Sequence, residues 1–329
     1  MEKRQSGNRI AERFLSIPMK SKEELLTKFK AFESKVKYLE SHNFGSDFLS
    51  KIVRVFIGAV KYGTKYIYYI LARAGIVRNR DVRAELFWGK DVTVPLSDND
   101  SAILYYLGGL PGLEYRLIKY ILGNLKKDDV FYDVGANYGF YTYLAQELVD
   151  RGQIHVFEPQ KDICQYVINN TKDCPNCFIN KLALSDISGK INLFVSDNYS
   201  GGNTIIEGVA TSQFSKMKKT EVDAVTLDSY TKTHKTPTFM KIDVEGAEYK
   251  VLSGGQNTLK NNSPAISIEI WRDDPGRKFS QMAVDFLLDL GYKPYKLDEY
   301  GKPTPIGYNL FDAMESGYGL ENFLFLKKK

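Results

Sequence analysis

The chain is poor in cysteine and histidine, with three of each among 329 residues. Three cysteines cannot form a disulfide scaffold, and so low a count fits a reducing compartment. No run of 18 or more residues is both apolar and uncharged, which excludes a simple membrane-spanning helix. The start, Met1-Glu2-Lys3-Arg4, leads into polar sequence without the apolar core of a secretion signal. A cytoplasmic protein is expected. Internal repeats and low-complexity stretches are also missing, which excludes a repeat array. What remains is an ordinary globular balance, 43% hydrophobic and 26% charged.

Charge is unevenly placed. Residues 1–80 hold 17 Lys/Arg against 7 Asp/Glu, a net +10, which leaves the rest of the chain at −5. This sets a basic helical segment, 1–80, apart from a lead-in strand and helix, 81–127, and a main domain, 128–329. Leu25, Leu26, Phe29, Phe32 and Val36 recur at helical spacing and predict an amphipathic helix over 21–40. Residues 52–77 are apolar and aromatic, yet carry Arg54, Lys61, Lys65 and Arg73. On a helix, Arg54, Lys61 and Lys65 share one side. Two readings stand: the helix packs its apolar face on the main domain, or it lies on an anionic membrane surface or a membrane-bound partner. No groove motif favours nucleic acid.

From about residue 128 the pattern turns regular. Strands are predicted at 130–134, 154–157, 178–183, 191–195, 238–243, 265–270, 292–297 and 322–327. Helices are predicted at 140–149, 160–171, 246–260 and 279–290. Before them lie a short strand, 92–96, ended by turn residues Ser97-Asp98-Asn99-Asp100, and a helix over 113–125. Strands alternating with helices imply right-handed crossovers and an α/β fold with a mostly parallel sheet, its last two strands antiparallel. Such sheets bind ligands at the carboxyl ends of their strands, beside the switch point.

Two strand ends carry the ligand signal. Asp133-Val134-Gly135-Ala136-Asn137-Tyr138-Gly139 contains G-x-x-x-G, without the glycine that lets a backbone approach a pyrophosphate. Glu158 lies 23 residues beyond Gly135, at the end of the next strand, where an acid accepts hydrogen bonds from two ribose hydroxyls. A nucleoside cofactor with no pyrophosphate fits both features. S-adenosylmethionine is such a molecule, with Asp133 placed to pair with its ammonium. A third cluster, Lys241-Ile242-Asp243-Val244-Glu245-Gly246-Ala247-Glu248, puts Asp243 at another strand end. Acids in a first helical turn complement the helix dipole, which accounts for Glu245 and Glu248. It does not account for Lys241, which needs a partner inside an apolar strand. With the usual strand order, Asp133 and Asp243 flank one crevice, and Lys241 neutralises part of their charge.

Together these pieces resemble the FkbM family of S-adenosylmethionine-dependent methyltransferases. The likeness runs over about 90–310 and also takes in Phe87-Trp88-Gly89, Ala183-Leu184-Ser185-Asp186 and Thr226-Leu227-Asp228. It implies a class I methyltransferase (Rossmann-like) fold, a seven-stranded sheet with helices on both faces and the last strand antiparallel. It implies O-methylation of a hydroxyl, on a sugar, a glycan or a natural product. Carried over residue by residue, it places Asp133, Gly135, Asn137, Gly139, Tyr141, Thr142 and Glu158 at the cofactor, with Ser185 and Asp186 near the adenine. Asp243, Glu245 and Glu248 then lie by the transferring methyl.

Methyl transfer to a hydroxyl is helped by a base. His155 sits within a predicted strand, His234 at the strand end away from the crevice, and His42 in the N-terminal segment. The expected base is therefore Asp243 or Glu245. A competing role for such acids is to hold a hard cation, with Asp243 and Glu269 ending adjacent strands. The resemblance requires no metal. Cys174-Pro175-Asn176-Cys177 follows a helix and precedes a strand, the reverse of a redox pair, and reads as a turn. The loop 198–204 is either a lid or a surface loop, and Trp271 either stacks on a sugar or belongs to the core. A nucleotide- or NAD-binding oxidoreductase and a dead binding module remain as readings from other classes.

Overall fold

Short apolar runs, each closed by glycine, proline or an acid, build the strands. The computed structural model describes residues 20–40, 63–74, 76, 80–196, 199–213, 217–307, 310–315 and 319–327. Strands β1 (Asp81–Glu85) and β2 (Asp91–Pro95) form an antiparallel ribbon. Strands β3 (Val130–Val134), β4 (Gln153–Phe157) and β5 (Cys177–Asn180) are parallel neighbours. Strands β6 (Ala183–Leu184), β7 (Gly189–Val195) and β8 (Lys218–Val225) form a separate three-stranded sheet. The main sheet is completed by β9 (Phe239–Ile242), β10 (Ala265–Trp271), β11 (Lys293–Leu297), β12 (Pro303–Pro305) and β13 (Leu320–Leu326).

The main sheet runs in the order β12-β11-β13-β10-β9-β3-β4-β5. From β10 to β5 all pairs are parallel, while β13 is antiparallel to both of its neighbours. This is the class I methyltransferase arrangement, with β3 and β9 side by side at the switch point. Among the described residues the sheet has eight strands rather than seven. The extra one, β12, begins and ends in proline, which cannot donate to a ladder and therefore sits at the outer edge. The predicted strand 178–183 is divided: β5 joins the main sheet and β6 the small one, as do β7 and β8.

Helices cover both faces of the sheet. Lys22–Glu40, predicted from its spacing, buries Leu25, Phe29, Phe32 and Val36 in the same core as Tyr115, Leu117 and Ile118 of helix Glu114–Asn124. Phe29 and Phe32 both meet the Phe87 ring at 5.3 Å, and Lys119 pairs with Glu33 at 2.8 Å. Of the proposed basic stripe, Arg54 and Lys61 lie outside the described residues. Helix Thr64–Arg73 packs on the domain: Ala72 is buried with Leu96 and Ala102, and Tyr69 meets the Tyr106 ring at 5.3 Å. Among the described residues, no helix is long and apolar enough to cross a membrane. The residues read as a turn after β2 instead start a helix, Asn99–Leu107, with Asp98 as the cap that accepts from the Asp100 N–H.

The predicted helix 246–260 is two helices, Glu248–Ser253 and Gln256–Asn262. The break lies at Gly254-Gly255, where the chain crosses closely packed neighbours. A Cβ at Gly254 would stand 2.0 Å from the Ser185 carbonyl oxygen, a backbone atom that cannot swing away. The φ at Gly254 is −68°, so contact and not backbone strain demands glycine. Gly254→Ala is expected to destabilise the fold by about 3 kcal/mol in denaturant unfolding, at the upper end of ordinary overpacking.

Cys174 and Cys177 are joined by a disulfide within the turn between helix Lys161–Asn170 and β5. The segment is a turn as expected, but the cysteines are bridged rather than free. A separation of three residues lets the bridge staple the turn locally without forming a scaffold. Cys164 is free and buried.

Candidate active site

A cavity of about 320 Å³ opens at the carboxyl ends of β3, β4, β9 and β10. This is the switch point, where loops from neighbouring strands diverge and leave a crevice. Its walls come from Gly135 to Asn137 after β3, Glu158 after β4, Asp243 and Glu245 after β9, and Glu269 near the end of β10. Ala183 and Leu184 close one side.

The turn after β3 explains its own sequence. Gly135 has φ +77°, and a Cβ there would lie 1.8 Å from the Asp243 carbonyl oxygen. The two strand-end turns therefore touch through backbone. Asn137 also takes a left-handed conformation, which asparagine tolerates better than most residues. Its N–H donates to Glu158 Oε2 at 2.9 Å, and the Gln160 N–H donates to Oε1 at 2.8 Å. Glu158 is thus fixed between two loops, with acceptor capacity left on both oxygens. Burial pushes its carboxyl up to about 7, against the pull of those two backbone donors.

Lys241 is buried at the register position opposite Asp133. Its Nζ lies 3.0 Å from Asp243 Oδ2 and 3.3 Å from the Gly135 carbonyl oxygen, over the Tyr141 ring. Burial opposes its charge, but Asp243, Asp133 and Glu114 outweigh that and raise its pKa. The lysine found its partner in Asp243, as the sequence required. The Tyr141 hydroxyl donates to Glu114 Oε2, and Asn322 Nδ2 donates to Glu114 Oε1 at 2.9 Å.

The turn after β9 carries Glu245 at φ +53° and Gly246 at φ +89°. It is held by Glu248, whose Oε1 accepts from the N–H groups of Val244 and Gly246. Thr204 adds a hydrogen bond to the Glu245 carbonyl at 2.7 Å. One carboxylate oxygen each from Asp243, Glu245 and Glu269 falls within 4.8 Å of the others. Burial and then the Asp243 charge push Glu245 and Glu269 well above the usual carboxylate range.

A roof covers part of the cavity. Tyr199, Ser200, Gly201, Asn203 and Thr204 all line it. The Ser200 N–H donates to Asp98 Oδ2 at 2.8 Å, and Asp100 Oδ2 accepts from the Gly201 N–H and from Asn137 Nδ2. The described part of the loop that read as lid or surface, 199–204, thus borders the cavity, tied to the start of helix Asn99–Leu107. Burial, followed by the Asp98 charge, raises Asp100 to about 6.

Of the site residues read from the sequence, Gly135, Asn137, Tyr141, Glu158, Asp243 and Glu245 line the cavity. Six others do not. Asp133 is fully buried and does not line the cavity; its Oδ2 accepts from Thr142 at 2.6 Å, and its Oδ1 is buried without a hydrogen-bond partner. Thr142 is spent on that bond. Gly139, at φ +84°, begins helix Phe140–Gln146. Glu248 braces its turn from outside the cavity. Ser185 is buried, and Asp186 pairs with Lys250 at 2.9 Å in a separate shallow groove. Ala183 and Leu184, two residues earlier, line the cavity instead.

Asp100 and Glu114 line the cavity and were missed. An acid in a first helical turn looks like a dipole complement, so neither stood out. Trp271 packs with Ile206, Val209 and Ala247 and belongs to the core. His155 bonds the Tyr230 hydroxyl at 2.8 Å and is depressed by burial to about 4, while His234 stacks on the Tyr230 ring at 4.0 Å. Neither lines the cavity. His42 lies outside the described residues.

Residues 133–294 match the family model described as the methyltransferase FkbM domain. Among curated proteins, the hexuronic acid methyltransferase AglP of Haloferax volcanii is 26% identical over 151 residues, covering 45% of this chain and 59% of that protein. Among solved structures, methyltransferase FkbM from Methylobacillus flagellatus KT is similar with 13% identity and a TM-score of 0.42, over 69% of this chain and 54% of that one. Fibrillarin of Aeropyrum pernix, solved with natively bound S-adenosyl-L-methionine, is similar with 12% identity and a TM-score of 0.38, over 65% of this chain and 76% of that one. The chain spans less than two thirds of the curated relative and of the first of these structures.

Proposed function

We propose, from the premise that residues 133–294 belong to the FkbM methyltransferase domain family, that the protein uses S-adenosylmethionine to methylate a sugar hydroxyl. The observation that carries the cofactor is Glu158. Each of its oxygens is fixed by one backbone N–H at a wall of the cavity and keeps a lone pair for a ribose hydroxyl. The fit extends to charge. Among the described residues, six acidic side chains and one lysine line the cavity, which favours a cationic sulfonium. Bound there, S-adenosylmethionine supplies an electrophilic methyl group.

The chain's own residues do the rest. Glu158 grips the ribose, and Gly135, with no Cβ to strike the Asp243 carbonyl, lets the two strand-end turns close together beside the amino-acid end. Asp243, paired with Lys241, stands ready to take the acceptor's proton. The roof from Tyr199 to Thr204 limits water at the reacting oxygen. A sugar acceptor agrees with the relative named a hexuronic acid methyltransferase. The decisive experiment gives the full chain methyl-labelled S-adenosylmethionine with uronic acid sugars, neutral sugars and amines. Label on a sugar oxygen is expected. Label on nitrogen alone, or calorimetric binding of NAD⁺ without S-adenosylmethionine, would overturn the reading.

The raised carboxyl of Glu158 gives the cofactor affinity a pH dependence. Only the ionised form accepts hydrogen bonds on both oxygens, so binding strengthens as pH rises through about 7. If the ionised form alone binds well, affinity at pH 8 exceeds that at pH 6 by about tenfold. Calorimetry across that range checks this, and a flat profile contradicts it.

A further inference from the structure

We propose that Asp243, Glu245 and Glu269 form a binding site for one hard divalent cation, such as Mg²⁺ or Mn²⁺. The three carboxylates come from separate places in the chain. Asp243 and Glu269 each follow a paired residue of the parallel strands β9 and β10, Ile242 opposite Ile268, and so stand at the same height. Glu245 is brought to them by the left-handed turn that Gly246 and Glu248 support. Each offers one oxygen, and these oxygens lie within 4.8 Å of one another.

Glu269 supplies a second observation. It is 5% exposed, and its Oε2 is buried with no hydrogen-bond partner. A carboxylate oxygen removed from water without a donor is costly, and a coordinated cation relieves that cost. The neighbouring cation does not, since Lys241 is turned to Asp243 Oδ2 and the Gly135 carbonyl. All three donors are carboxylate oxygens, and among the described residues no cysteine or histidine lines the cavity, which selects a hard cation over zinc or copper.

The existence of this site does not depend on the methyl-transfer reading, but its use does. A hydroxyl bound to such a cation loses its proton more readily, which eases the step assigned to Asp243. The test titrates Mn²⁺ into the full chain without S-adenosylmethionine and follows the free-ion signal by electron paramagnetic resonance. One bound ion per chain is expected, displaced by Mg²⁺. Glu269→Gln and Glu245→Gln should each weaken binding at least tenfold, and Mg²⁺ should raise the melting temperature of the wild-type chain but not of Glu269→Gln. Should Glu269→Gln fail to fold, Glu245→Gln, in the turn after β9 and not within a strand, carries the same test. Mn²⁺ left free by the wild-type chain, or bound equally by both variants, overturns the proposal. Cofactor affinity measured in parallel separates the two readings: lost metal with intact cofactor binding sinks only the cation site.

Discussion

Glu158→Gln is expected to weaken S-adenosylmethionine binding about 100-fold. The substitution keeps size and shape but replaces one acceptor oxygen with an amide donor. Two charge-assisted hydrogen bonds to the ribose become at most one neutral bond, a loss of about 3 kcal/mol. The amide also faces one of the N–H groups of Asn137 and Gln160, donor against donor, which loosens the cofactor turn itself. Calorimetry gives the affinity, and circular dichroism establishes that the sheet is intact. The pH dependence should vanish in the same variant, because the titrating group is gone. Affinity within a few-fold of wild type would remove Glu158 from the cofactor and the cofactor assignment with it.

Asp243→Asn should act on the chemistry instead. Loss of a proton acceptor lowers kcat by about 10³-fold, while cofactor affinity stays within a few-fold. The variant also leaves Lys241 with Asp133 as its nearest carboxylate partner at the strand register. A fall in melting temperature would accompany the loss, so kcat is to be measured well below it. Near wild-type turnover would take the base role away from Asp243 and pass it to Glu245 or to solvent.

The part of the cavity proposed for the cofactor was legible because its residues are dictated by backbone. Gly135 and Glu158 stand where strands end, and strand ends show in the sequence as apolar runs meeting glycine or an acid. Lys241 was legible for the opposite reason, a charge where charge does not belong. Thr142 and Glu248 lie in the same motifs yet serve the layer behind the cavity, and motif membership alone does not separate the two roles. β8 went unread because Lys218, Lys219, Thr220 and Glu221 are exposed on both of its faces and Asp223 follows, leaving too few apolar positions to mark an alternation. Asp100 and Glu114 are brought to the cavity by tertiary packing of the lead-in helices, a placement no local pattern records.

The helix Lys22–Glu40 lies far upstream of the stretch that matches the family model, yet Phe29 packs edge-on against Tyr115, at 5.7 Å, beside Glu114. Glu114 in turn receives the hydroxyl of Tyr141 at the cavity wall. The unit that must fold together is therefore longer than the unit that is recognisable by ancestry. Trimming the gene to the recognisable part would strip a ring of aromatic side chains of their cover and leave an acid of the cavity wall without its scaffold.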